Sequence, residues 1–166
     1  MRLPDYDYAQ NGAYFVTVCT DGRKNLFWNV GATCGRPQDD SPLSLIGKMV
    51  DTEIKRIGDI YDNVSIDKYT VMPNHIHMII IIDSGPIGRP EPGAPKKHSF
   101  LGWENAPTVS RIIQQFKGVI SKKAGFPLWQ RSFHDHIIRT GQEYAEVWNC
   151  IDINLLKWDT DRYYTR

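Results

Sequence analysis

Pro73-Asn74-His75-Ile76-His77-Met78-Ile79-Ile80-Ile81-Ile82 is the stretch whose reading decides the fold. Its last eight residues read as a β-strand, in which side chains two apart share a face. His75 and His77 therefore project side by side, while Ile76, Met78 and Ile80 face the other way. Two imidazoles so placed are able to ligate one divalent cation. The plainer alternative for a bare His-x-His is two half-buried histidines satisfied by neighbours. Upstream, Val64 to Val71 also reads as a strand, and Met72-Pro73-Asn74 is short enough to make the two a hairpin.

Working outward, Tyr14 to Thr20 is aromatic and β-branched, with Asn11-Gly12 before it and Asp21-Gly22 after it, which predicts a strand between turns. Ser41-Pro42 reads as the N-cap and first position of a helix that carries Leu43, Ile46, Val50, Ile54, Ile57 and Tyr61 at helical spacing. Residues 83–107 hold five of the ten prolines and four glycines, and read as a long mobile loop. Val109, Ile112, Ile113, Phe116, Val119 and Ile120 mark a second amphipathic helix. Phe133 to Arg139 reads as a fourth strand. Thr140-Gly141-Gln142-Glu143 is a capping-box pattern opening a last helix, expected to run to about Trp158.

The order is thus β, α, β, β, α, β, α. Without the last helix it is that of the ferredoxin-like split βαβ arrangement. The expected class is α+β: an antiparallel sheet with helices on one face, plus a C-terminal helix, in one domain over residues 1–166. The length suits one domain able to bury a sizeable core.

Composition narrows the function. Hydrophobic residues at 41% and charged residues at 23% exclude wholesale disorder. Cys19, Cys34 and Cys150 form no C-x-x-C pair, so neither a disulfide framework nor a cysteine zinc site is expected, and a reducing cytoplasm is the expected compartment. The apolar run Met78–Ile82 is too short to span a membrane, and Met1-Arg2-Leu3-Pro4-Asp5 turns polar too early for a signal peptide. A net charge of +1 argues against a polycationic nucleic-acid coat but leaves room for a local basic patch. Residues 1–107 hold 11 basic and 13 acidic side chains, and residues 108–166 hold 9 and 6.

On the last helix, Cys150 and Asn154 lie one turn apart on a stripe that Glu143 and Glu146 extend. Val147, Trp148, Ile151, Leu155 and Trp158 make the neighbouring apolar face. Periodicity alone reads Asn154 as a solvated residue and Cys150 as a small buried hydrophobe.

Four segments together resemble the IS200/IS605-like single-tyrosine transposases, especially the REP-associated branch. They are Tyr14-Phe15-Val16-Thr17-Val18-Cys19-Thr20, Val71-Met72-Pro73-Asn74-His75-Ile76-His77, the run from Trp129 to Arg139 (WQRSFHDHIIR), and Trp148-Asn149-Cys150-Ile151-Asp152-Ile153-Asn154. They span the chain in the right order. The resemblance implies metal-dependent cleavage and rejoining of single-stranded hairpin DNA. It assigns His75 and His77 as ligands of Mg²⁺ or Mn²⁺, with Mn²⁺ the better match to nitrogen. A final helix in such enzymes carries a tyrosine nucleophile and, four residues on, an amide ligand, which here fall on Cys150 and Asn154. Tyrosine attack displaces a 3′-hydroxyl and leaves a 5′-phosphotyrosine link.

The chain departs from that pattern at Cys150, and again at Leu155, where the family has proline. A thiol is shorter and softer than a phenol, and attack on a phosphodiester beside a hard cation is not its usual chemistry. Cys150 thus marks a nicking-deficient variant, a decayed or domesticated hairpin-DNA binder, or a working thiol nucleophile. Tyr144 lies off the Cys150 face, and Tyr163 and Tyr164 lie beyond the helix, on a tail that would have to fold back. Arg131, His134, His136 and Arg139 are the candidate phosphate contacts, with Lys117, Lys122 and Lys123 nearby. Trp129 and Phe133 are candidate stacking surfaces for bases. The IS200/IS605 type is dimeric and the REP-associated branch monomeric, so homodimer and monomer both stay open. A non-catalytic binder of hairpin or single-stranded DNA is the rival reading. An RNA-binding module lacks the RNP-type aromatic pattern.

Overall fold

The computed structural model describes residues 11–29, 42–83, 107–154, 158 and 160–164. Within them the order is β1 (Gly12–Cys19), a short 3-10 turn (Asp21–Arg23), α1 (Leu45–Ile60), β2 (Val64–Val71), β3 (His75–Ile82), α2 (Val109–Ala124), β4 (His134–Ile138) and α3 (Gly141–Asn154). The four strands form one sheet in the order β2-β3-β1-β4, every neighbouring pair antiparallel. This is the expected ferredoxin-like α+β arrangement. Apart from Asp83 and Pro107, the expected mobile loop at 83–107 lies outside the described residues.

The sheet is covered on both faces. Tyr14, Val16 and Val18 of β1 and Ile76, Met78, Ile80 and Ile82 of β3 meet Val50, Ile54 and Ile57 of α1 and Ile112, Ile113, Phe116 and Ile120 of α2 in the main core. The alternate residues point the opposite way. There Ile79 and Ile138 pack on Ile151 of α3, with Phe15, Ile81, Tyr144 and Val147 around them. His75 and His77 belong to this second face by strand period.

The first helix starts later than Ser41-Pro42 implies. Leu43 is bridged to Trp28, and Pro42 accepts from the Asn29 N–H, so the chain is still extended there. Ser44 is the N-cap instead. Its hydroxyl accepts from Gly47 N at 3.1 Å and donates to Leu26 O at 2.6 Å. Gly47 is required, because a Cβ there would lie 2.1 Å from the Phe27 carbonyl oxygen. The second helix is capped by Thr108 and ends on Gly125 in the left-handed region, at φ 82°. The third is described as far as Asn154, and residues 155–157, over which it is expected to continue to about Trp158, lie outside the described residues. Thr140 accepts from Glu143 N, as a capping box requires, but Glu143 reaches to Arg139 N at 2.8 Å and to His136. One carboxylate thereby ties α3 to the edge strand β4.

A bulge in β2 between Ile66 and Lys68 sets Asp67 outside the register. Asp67 accepts from the Tyr144 hydroxyl, while Lys68 pairs with Asp152 at 2.8 Å and lies over the Trp148 ring. These contacts fix how α3 lies across the sheet.

Candidate metal centre

Register places the histidines before any side-chain chemistry does. His77 lies opposite Thr17, and His75 opposite Cys19, at one end of the two inner strands. Their Nε2 atoms converge to 3.0 Å. Both side chains are buried.

The outer nitrogens are held by partners from the hairpin connection and β1. Asn74 Nδ2 donates to Tyr163 O at 2.8 Å and to Arg23 O at 3.2 Å, so its Oδ1 is turned to His75 Nδ1, 2.8 Å away. An amide oxygen only accepts. His75 therefore carries its proton on Nδ1 and presents a bare Nε2 lone pair to the site. His77 Nδ1 lies 2.8 Å from the Thr17 hydroxyl, which serves either tautomer by rotating. Partners of this kind orient the imidazoles of metal sites and fix which nitrogen binds.

With its proton on Nε2, His77 would donate to the His75 lone pair; with its proton on Nδ1, two lone pairs would face one another and a cation would fit between them. A second proton, which would make either imidazole cationic, is disfavoured by the surroundings. Burial, and then the neighbouring His77, drive the His75 pKa down to about 2. Burial, and then Arg162, drive that of His77 down to about 4. Neutral, paired, oriented imidazoles are the form in which histidine ligates metal.

The remaining wall comes from residues beyond α3. Asp161 brings a carboxylate oxygen to the pair, all three ligand atoms lying within 4.8 Å of one another. Asp161 also accepts from Tyr163 N at 2.6 Å. The Tyr163 ring lies 4.7 Å from the His75 ring and 6.1 Å from that of His77, centroid to centroid. Trp158 lies 6.0 Å from His75, and Phe15 stacks on His77 at 5.2 Å. Arg162 and Arg23 approach the Tyr163 ring at 4.8 and 5.2 Å. Two nitrogens and one carboxylate oxygen are a donor set that fits a divalent cation.

The residues expected from the sequence fall in three places. His75 and His77 form the centre. Cys150 is exposed on α3 and free, outside the group made by His75, His77 and Asp161, and Asn154 is half-buried at the end of that helix. His134, His136 and Arg139 sit on or beside edge strand β4, and Arg131 precedes it; all four are exposed. His134 lies across from Thr17, in the same cross-strand row as His77, and His136 pairs with Glu143. Lys117 donates to Gln130 O and Ser132 O, both at 2.8 Å, and so anchors the loop that carries Arg131. Trp129 and Phe133 pack on or against the main core, the ordinary fate of such aromatics.

Asp161, Asn74, Thr17 and Trp158 are site residues that the motifs did not assign. Asn74 and Thr17 sat inside quoted motifs, so their nearness to the histidines was available. Asp161 lies in an irregular turn, where no spacing pointed to it.

Comparison with known proteins finds a solved structure of similar fold and a similar sequence. The chain superimposes on the REP-associated tyrosine transposase solved bound to a REP hairpin with a TM-score of 0.58, covering 95% of this chain and 74% of that one at 20% identity. That likeness shows a shared fold. The chain is also 28% identical over 170 residues to an uncharacterized protein of Haemophilus influenzae, across 99% of this chain and 91% of that protein. No family model matches the sequence. No helix among the described residues is long and apolar enough to cross a membrane.

Proposed function

We propose that the chain is a transposase-type DNA-processing protein that binds single-stranded or hairpin DNA at a metal centre on His75 and His77 and cleaves it there. The observation that carries this reading is the convergence of two buried Nε2 atoms at 3.0 Å, with one imidazole fixed by Asn74 and the other matched by Thr17. The fold shared with the REP-associated tyrosine transposase supports it. A bound Mn²⁺ or Mg²⁺ would polarise the scissile phosphate and offset charge building up on it. Asp161 is the favoured third ligand from its approach to the pair, with Asn154 the alternative expected from the motif.

The chain's own residues do the rest. His134 and His136 on edge strand β4, with Arg131 before it and Arg139 after it, would meet phosphates along a strand leading to the histidines. Cys150 holds the position of the family's helical tyrosine, and an exposed thiol there leaves α3 deficient in nicking. A thiol in place of the phenol supports the second reading, a binder of hairpin DNA that does not cut. A single domain working in the cytoplasm, as a monomer or a homodimer, is consistent with both.

The test is hairpin binding and cleavage by the full chain with Mn²⁺. His77→Ala should abolish Mn²⁺ binding, and unchanged affinity would remove His77 as a ligand. Arg131→Gln with Arg139→Gln should weaken hairpin binding and flatten its salt dependence by about 0.7–0.9 in log–log slope per lost phosphate contact. An unchanged slope would exclude this edge as the DNA path.

A further inference from the structure

We propose that Tyr163, on the segment after α3, supplies the oxygen that attacks the phosphodiester in place of a tyrosine on the helix. The inference rests on the DNA-cleavage reading above and names its nucleophile.

Attack on phosphorus needs a hydroxyl next to the group that holds the phosphate. At the position where the family has its tyrosine the helix offers the Cys150 thiol, exposed and outside the His–His–Asp group. The segment beyond it delivers a phenol to the centre itself, packed against both imidazole rings. The other described tyrosines are committed elsewhere. Tyr61 donates to Gln115, Tyr69 to Asp51 and Tyr144 to Asp67. Tyr14 points into the main core on the opposite face of the sheet, and Tyr164 is exposed against Trp158.

Tyr163 is also held where a reacting group has to be. Its carbonyl accepts from Asn74, the residue that orients His75. Its N–H donates to Asp161, the third candidate ligand. One amide and one carboxylate thus bind the phenol's backbone and the ligand set into a single unit. Arg162 and Arg23 flank the ring, where their charge would favour an incoming phosphate. In the step itself the Tyr163 oxygen bonds to phosphorus and the phosphorus–O3′ bond breaks. The phenol's proton ends on the departing 3′ oxygen. The phosphodiester is exchanged for a phosphotyrosine ester with no oxidant, reductant or water consumed.

The experiment incubates the full chain with Mn²⁺ and a labelled DNA hairpin carrying a single-stranded flank. Covalent product is resolved under denaturing conditions, and the modified peptide is sequenced by mass spectrometry. Hairpin retention and Mn²⁺ affinity are measured alongside, for the unaltered chain and for Tyr163→Phe. The expected result is an adduct on Tyr163, lost in Tyr163→Phe while Mn²⁺ and hairpin binding persist. An adduct on Cys150 or any other residue, or cleavage without an adduct, overturns the assignment and leaves DNA cleavage standing. Hairpin binding without cleavage also overturns it and favours the binding-only protein. Loss of both hairpin and Mn²⁺ binding in the unaltered chain overturns it together with the reading it rests on.

Discussion

Asn74 Oδ1 lies 2.8 Å from His75 Nδ1, and this contact decides which edge of the imidazole faces the site. Asn74 is fully buried and serves three partners at once: His75, Arg23 O and Tyr163 O. Asn74→Ala leaves a buried imidazole donor and two carbonyls short of a partner. The expected cost is about 2–4 kcal/mol of stability, with Mn²⁺ affinity down by about 10–100-fold. Urea denaturation and metal titration of the same variant check the two effects separately. A variant with native affinity would show that His75 is oriented by something else.

Asp161→Asn should lower Mn²⁺ affinity by about 10-fold or more, because a neutral amide replaces a charged oxygen donor. The hydrogen bond from Tyr163 N can persist to the amide oxygen, so the local turn should survive. Asn154→Ala, run in parallel, separates the two candidate third ligands. If Asn154→Ala is the variant that loses the metal, the carboxylate is not the ligand.

Stability without metal should fall as the medium is acidified from pH 7 to pH 5. Both histidines have folded pKa values, about 2 and about 4, below the unfolded value of 6.5. In that window the unfolded chain binds protons that the folded chain refuses, so acid favours unfolding. The slope is about 1.4 kcal/mol per pH unit for each histidine once fully below 6.5. Glu53, held low by the Lys123 ammonium, loses its contribution only at more acid pH. Urea midpoints in chelator at pH 7, 6 and 5 test this, and a flat profile would contradict the neutral buried pair. Mn²⁺ should restore stability most at pH 7, where proton competition is least.

Gly47→Ala should destabilise the fold by about 3 kcal/mol or more. The added Cβ would sit 2.1 Å from Phe27 O, an oxygen held by Ser44 N at 2.8 Å. Phe27 N in turn donates to Pro73 O at 2.9 Å, next to Asn74. The strain therefore reaches the hairpin that carries His75, and Mn²⁺ affinity should drop with stability. A native-like melting temperature would mean that the 26–28 segment gives way freely.

Much of this was legible in the sequence where a period governs it. The two-residue repeat through His75, His77, Ile79 and Ile81 announced one face of β3, and the hairpin through Met72-Pro73-Asn74 formed as read. Helix edges were harder. Ser41-Pro42 has the composition of a start, yet the bridge from Trp28 to Leu43 holds the chain extended to Ser44. The site beyond the histidine pair was the least legible. Asp161 and Tyr163 reach it through irregular turns, fixed by Asn74 and by one another. No spacing rule encodes such contacts, because they depend on where the segment after α3 comes to rest on the sheet.

The strand order carries a kinetic consequence. β3 is paired on both sides, so the amides around His75 and His77 should exchange with solvent only on opening of the whole sheet. The Asp161 carboxylate and the Tyr163 phenol lie outside the sheet, on turns held near the pair by the Asn74 hydrogen bond to Tyr163 O and by ring contacts with His75 and Arg23. Half of the centre should thus open only with the fold, and the other half by local fluctuation. Substrate and ion need only outwait the shorter of the two clocks.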